Sequence, residues 1–417
     1  MGDAVTCRLA LEIPVPRFCK LMLFSLLVML GVNAVAAPSP AQRAERAAAL
    51  AHQVLLADTH IDAPYRLEED GWRDLSLATA DRDFDLVKAL QGGLDLAFMS
   101  IYTPSALDAS GGNRAVADRL IDSVEAMVGR NPAGFVIVRT PEEAIAAKAG
   151  GKLALALGME NGAAIGDSLD GLRHFHARGV RYITLAHAMA NRLADSSYDV
   201  EHRREGGLSP FGVEVVAEMN RLGVMVDVSH LSDDAVRSVL AASKAPVIAS
   251  HSSVRHFTPG WERNLGDDLI DAIAENGGVI QVTFGSGFVS SAANQWQDAQ
   301  KAARKAAGIA DAGADADAFD TAYRSAHPYP YATAATVADH IDYIVKRIGI
   351  DHVGLGSDFD GVGDSLPSDL KDVSQYPHLI AELIKRGYSD EQVAKIAGGN
   401  LLRVWAAVEH YAQTHQA

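Results

Sequence analysis

Leu153-Ala154-Leu155-Ala156-Leu157-Gly158-Met159-Glu160 is an apolar run that stops on a carboxylate. It lacks the polar and apolar alternation of an open antiparallel sheet and reads as a parallel strand covered on both faces. Seven further runs are of the same kind: Val54–Asp62, Leu94–Tyr102, Val180–His187, Gly223–His230, Ala245–His251, Gly278–Phe284 and His352–Asp358. The segments between them have helical periodicity, which gives the βα alternation of a parallel sheet. A parallel barrel gathers the carboxyl ends of its strands on one face. There His60, Asp62, Glu160, His187, His230, His251 and Asp358 would converge. A doubly wound open sheet is the competing architecture, but it concentrates its site at one switch point, whereas these residues end nearly every run. The expected fold is therefore a (β/α)8 TIM-like barrel.

Several helix starts are explicit. Thr140-Pro141-Glu142-Glu143 supplies a cap, a first-turn proline and a capping-box glutamate, Ser209-Pro210 opens a second helix, and Ser389 with Gln392 opens a third. Two stretches stand outside the repeat. Residues 38–52 are Ala-rich and predict a helix leading into the domain. Residues 289–332 form an insertion after the seventh run, read either as a surface helical excursion or as a rim element of the site.

The 417 residues, 48% of them apolar, suffice for one barrel with insertions or for two domains. We read residues 37–417 as a single domain. The formal charge of −16 and the absence of a basic cluster argue against nucleic acid as a partner. At the start of the chain, Arg17 and Lys20 precede the apolar run Leu21–Leu30, and Ala34-Val35-Ala36 offers a small-residue cleavage site. This predicts a signal peptide over residues 1–36 and a periplasmic or secreted protein. Asp3 and Glu12 make the leader long and atypical, and Met22 is an alternative start. No stretch approaches the ~20 apolar residues needed to span a bilayer, so no membrane span is expected in the mature chain. Both cysteines, Cys7 and Cys19, fall in the leader, which removes thiol nucleophiles and Cys-type zinc sites from the expectation.

His60-Ile61-Asp62 places two ligand-type side chains on one side of a strand. Alone, such a motif is more often a capped turn beside a chance histidine. A lone histidine like His230 or His251 is more often satisfied by a backbone carbonyl. Together with Glu160 at a buried strand end, where an unpaired carboxylate is costly, the set points to metal. Five ligands exceed the needs of one zinc. Two Zn2+ ions use them all, with His60 and Asp62 on one, His230 and His251 on the other, and Glu160 bridging. Two such cations at roughly 3.5–4 Å would hold a bridging hydroxide able to attack carbonyl or phosphoryl centres. That makes the barrel one of the metal-dependent hydrolase type.

Asp58-Thr59-His60-Ile61-Asp62, Gly158-Met159-Glu160-Asn161-Gly162, Arg181–His187, Gly207-Leu208-Ser209-Pro210-Phe211-Gly212, Asp227-Val228-Ser229-His230, Ser250-His251-Ser252-Ser253 and Gly354–Gly361 occur in this order. Together they resemble the membrane (renal-type) dipeptidase family of zinc peptidases, from about residue 54 to residue 408. The resemblance implies a binuclear-zinc barrel that cleaves the peptide bond of free dipeptides, including L,D-dipeptides, and that forms a homodimer. It implies roles as well: His187 steadies the substrate carbonyl and its oxyanion, Arg263 before Asn264 grips the free carboxylate, and Asp358 moves the proton from water to the leaving amine. Each role is physically reasonable. Arg255 is the competing register for the arginine and Asp360 the rival base. His174, His176, His202, His340, His352 and His378 read as surface residues. Two alternatives remain: a related binuclear hydrolase of lactones, cyclic amides or phosphotriesters, and a catalytically silent barrel kept as a scaffold.

Overall fold

A computed structural model of the chain describes residues 39–204 and 206–415. The predicted leader, residues 1–36, lies outside the described residues. Nine strands form one parallel sheet: β1 (Leu56–Ile61), β2 (Leu94–Tyr102), β3 (Phe135–Ile137), β4 (Leu153–Glu160), β5 (Val180–Thr184), β6 (Met225–Asp227), β7 (Ile248–Ala249), β8 (Val279–Val282) and β9 (Val353–Leu355). Their order is β1-β2-β4-β5-β6-β7-β8-β9, and β3 pairs beside the first half of β4. The ends of that path meet: Asp62 N–H donates to Phe359 O at 2.9 Å and Asp358 N–H to His60 O at 3.0 Å. Buried Asp58 pins the seam further, accepting from the backbone of His60 and Ser357 and from the Tyr376 hydroxyl. The result is a nearly closed eight-stranded parallel barrel with helices between its strands, as the eight runs predict. β3 is the strand the sequence does not announce.

Inside the barrel, alternate strand residues such as Leu96, Phe98, Ala154, Ala156, Tyr182, Met225, Ile248 and Val279 pack with Leu401, Val404 and Trp405 of the C-terminal helix Asn400–Thr414. The other strand faces, among them Met99, Leu155, Leu157, Ile183, Val226 and Ile280, meet the outer helices. The barrel is thus a filled core rather than a pore. Gly158 is required by this packing. A Cβ there would run into the Tyr182 ring, which crosses the barrel to place its hydroxyl beside β1.

The helices begin where their caps predict. Thr140 accepts from Glu143 N, Ser209 from Gly212 N, and Ser389 forms a reciprocal capping box with Gln392. The Ala-rich stretch is the helix Pro40–Gln53. The insertion carries two helices, Ser291–Ala306 and Ala314–Ala326, joined by the Arg304–Asp320 ion pair at 2.7 Å and by Trp296 against Tyr323. Lys301 from the first of them lines the main cavity. Among the described residues, no helix is long and apolar enough to cross a membrane.

One histidine departs from expectation. His340 is not at the surface but fully buried. Its Nδ1 accepts from Val254 N at 3.0 Å and its Nε2 donates to Val289 O at 3.1 Å. It lies on the same helical stripe as Val337, Ile341 and Ile344, so helix packing carries it inward.

Candidate metal centre

His60 is the fifth residue of β1 and Glu160 the last of β4, whereas the other polar residues lie just beyond their strands. His187, His230, His251 and Asp358 follow the ends of β5, β6, β7 and β9 by two or three residues. The chain turns inward there. His230, Asp358 and Asp360 adopt positive φ angles of 68°, 68° and 63°, and Asn161, following Glu160, adopts 79°. Left-handed backbone at non-glycine residues is costly and collects at functional sites.

Four histidines surround one carboxylate. Glu160 Oε2 lies 3.4 Å from His60 Nε2, and Glu160 Oε1 lies 3.0, 3.2 and 3.7 Å from the Nε2 atoms of His230, His251 and His187. Asp62 Oδ2 stands 3.5 Å from His60 Nε2, and Asp358 joins those two in a cluster of ligand-type atoms within 4.8 Å of one another. Of these seven residues, all but His187 are buried.

The wall around them settles which ring nitrogens face inward. The Tyr182 hydroxyl donates to Thr59 O at 2.9 Å, so at 2.8 Å it must accept from His60 Nδ1–H, which in the neutral ring leaves Nε2 with its lone pair toward Glu160. The Ser250 hydroxyl donates to Asp227 Oδ2 at 2.6 Å and accepts from His251 Nδ1–H at 2.7 Å, with the same outcome for His251. Asp227 is fully buried and also takes the backbone N–H groups of Ser229 and Ser250. Such outer partners commonly orient metal-binding histidines. Sequence reasoning missed Tyr182, Asp227 and Ser250 in this role.

Electrostatics favour the neutral form at His230 and His251 but not at His60, where burial lowers the ring and Tyr182, Glu160 and Asp62 outweigh it, raising it well above its usual value. Burial alone would raise the Glu160 carboxyl, but the facing histidines, His60 and His187 foremost, hold it well below the usual range. Burial and the Arg263 guanidinium push His230 well down; burial and His60 do the same to His251. Neutral imidazole is the ligand form. Asp358 is driven well up by burial and then by Asp62, so it is suited to hold a proton. Asp360, the rival base, is pushed up to about 7 by burial and Asp83, but its Oδ1 is engaged by Asp83 N.

Arg263, not Arg255, reaches the centre. It is buried, with Nη2 3.0 Å from His230 Nε2 and 2.8 Å from His251 O, and its Nε has no hydrogen-bond partner. Arg255 is turned outward onto Asp233. A cavity of about 920 Å³ opens over the centre, lined by Tyr65, Tyr102, His187, Tyr198, Phe288 and Asp358, with Arg66, Arg82 and Lys301 among its charged neighbours. Its size suits a small polar molecule.

The donor set fits divalent cations. His60 Nε2 and Asp62 Oδ1 are buried without hydrogen-bond partners, and His60, Glu160 and His251 bring ligand-type atoms within 4.8 Å of one another. A parallel barrel with such a cluster on its carboxyl-end face is a metal-dependent hydrolase. Comparison with known proteins narrows the class. The chain belongs to the membrane dipeptidase family (peptidase family M19), whose family model matches residues 44–417. It is a metallo-dipeptidase.

Relatives agree with this membership. The uncharacterized dipeptidase C965.12 of Schizosaccharomyces pombe is 37% identical over 85% of this chain and 80% of its own length. The crystal structure of the probable dipeptidase PvdM from Pseudomonas aeruginosa superposes with a TM-score of 0.78 and 32% identity, covering 90% of this chain and all of that one. A metallo peptidase from Rhodobacter sphaeroides, liganded with a phosphinate mimic of L-Ala-D-Ala, gives 0.70 at 25% identity over 85% of this chain and 99% of that one.

Proposed function

We propose that the protein hydrolyses free dipeptides, L,D-dipeptides included, with two zinc ions per chain. The convergence of four histidine Nε2 atoms within 3.7 Å of the two Glu160 oxygens carries this reading. His60 and Asp62 would hold one ion, His230 and His251 the other, with Glu160 available to both. When bound, zinc would supply Lewis acidity to the scissile carbonyl and acidify the attacking water. The L-Ala-D-Ala mimic in the Rhodobacter sphaeroides relative supports the L,D assignment.

The chain's own residues supply the rest. Arg263, through its free Nε, binds the terminal carboxylate and orients the peptide. His187, 20% exposed at the cavity floor, donates to the carbonyl oxygen as negative charge develops there. Asp358, raised toward protonation and beside Asp62, takes the proton of the attacking water and delivers it to the leaving amine. The leader composition supports export to the periplasm or beyond, and the family resemblance supports a homodimer.

Amine release from L,L and L,D dipeptides and their C-terminally amidated analogues, before and after chelation and zinc return, tests the reading. Zinc-dependent cleavage that is lost on amidation is expected. Cleavage that survives complete zinc removal would overturn it.

A further inference from the structure

The segment Ser252–Glu262 is unusually bulky, and the mechanism uses none of its aromatic side chains. The structure shows where Trp261 goes. Its ring lies 5.2 Å from Phe288 and 6.3 Å from Tyr198, centroid to centroid. Tyr198 in turn lies 5.9 Å from the His230 ring, and its hydroxyl is beside the Arg263 guanidinium. Arg263 Cζ sits 5.2 Å over the Phe288 ring. Three aromatic rings, Tyr198 and Trp261 from loops and Phe288 from the short helix Ser286–Val289, therefore form a collar from a metal-ligand histidine to the carboxylate-binding arginine. Tyr198 and Phe288 line the cavity, and Tyr198 is 42% exposed there.

We propose that Tyr198, Phe288 and Trp261 behind them form the subsite for the side chain of the substrate's C-terminal residue. They select bulky apolar residues, aromatic ones above all. The inference rests on Arg263 holding the terminal carboxylate. A carboxylate bound there has its α-carbon one bond away, so the C-terminal side chain branches within a few bond lengths of the collar. The guanidinium charge is met by the carboxylate, which leaves ring faces and edges as the remaining surface. Apolar and aromatic side chains pack on such surface with offset or edge-to-face geometry. Of the cations lining the cavity, Arg66, Arg82 and Lys88 come from the segment following β1, and Lys301 comes from the helix that follows Phe288.

Steady-state kinetics of the zinc-loaded full chain on Ala-Gly, Ala-Ala, Ala-Leu, Ala-Phe and Ala-Phe amide test the assignment. A kcat/KM for Ala-Phe about tenfold or more above that for Ala-Gly is expected, the scale of discrimination an apolar pocket gives. In Phe288→Ala and in Tyr198→Ala that ratio should collapse toward one. Phe288→Leu, which keeps apolar bulk, should retain the preference for Ala-Leu while losing most of that for Ala-Phe. A variant that merely damages the site lowers kcat/KM on every substrate in proportion. A ratio kept in both alanine variants, or already near one in the parent protein, overturns the subsite while leaving the dipeptidase reading intact. Ala-Phe amide cleaved as fast as Ala-Phe removes the Arg263 clamp, and the subsite falls with it.

Discussion

The Nε2 atoms of His230 and His251 meet at 2.8 Å, and both face the same oxygen of Glu160. Neither nitrogen is free to donate. His251 carries its proton on Nδ1 toward Ser250, and His230 Nε2 accepts from Arg263 Nη2. The His251 lone pair and a carboxylate oxygen aimed at one point repel one another unless a cation lies between them.

Glu160→Gln removes the shared charge from both halves of the cluster. We expect metal content measured by elemental analysis to fall below two ions per chain. Dipeptide turnover should drop on the order of a thousandfold, the scale seen when an electrostatic group acting on the transition state is removed. Two ions retained at full occupancy would sink the bridging assignment.

Ser250→Ala breaks the relay from Asp227 to His251 without touching a ligand. Zinc affinity, measured by competition with a chromophoric chelator, should weaken about 10–100-fold, as for other outer partners of metal-bound histidines. An unchanged affinity would show that Ser250 does not hold the His251 ring.

Much of this was legible before any coordinates. The eight runs stand out because parallel strands buried on both faces are continuously apolar, and Glu160, His230 and His251 stand out because polar residues ending such runs need a reason. β3 escaped because Phe135-Val136-Ile137 is three residues long and carries no polar end. Asp227 and Tyr182 escaped for the opposite reason: each sits within a run, where a polar atom is hidden among core residues until its cross-barrel partner is known. His340 could have been placed correctly, since it shares the helical stripe of Val337 and Ile344. Its polarity outweighed its spacing.

Arg263→Met should raise KM for free dipeptides about 10–100-fold, the cost of losing charge-assisted hydrogen bonds to a carboxylate. C-terminally amidated dipeptides provide the comparison. If the variant loses as much on amides as on free acids, Arg263 supports the fold of the site rather than reading the carboxylate.

Gly361→Ala tests the crowding around Asp62. A Cβ at Gly361 would fall well inside contact distance of Asp62 Oδ2 and Asp358 Oδ1. Misplacing catalytic groups by about an ångström can cost on the order of a hundredfold in rate. We expect such a loss in kcat with a melting temperature close to that of the parent protein. Full activity would show that the Ser357–Gly361 loop yields freely.

His340 predicts a distinct acid sensitivity. Burial lowers it from 6.5 to about 4, so the unfolded chain binds a proton that the folded one refuses between those values. Its contribution is intact above pH 6.5 and is lost as pH falls toward 4, by about 3 kcal/mol at 1.4 kcal/mol per unit. His340→Gln keeps an acceptor for Val254 N. Urea unfolding at a series of pH values should show the stability gap between parent and variant narrowing on acidification. A gap independent of pH would count against a neutral buried imidazole.

The Tyr182 and Ser250 contacts also bear on how the enzyme acquires its ions. The barrel wall chooses the ring nitrogens of His60 and His251 through bonds between protein groups alone, so the cup is shaped by folding and metal uptake is a docking event. Metal loading should therefore follow simple saturation with no accompanying change in secondary structure.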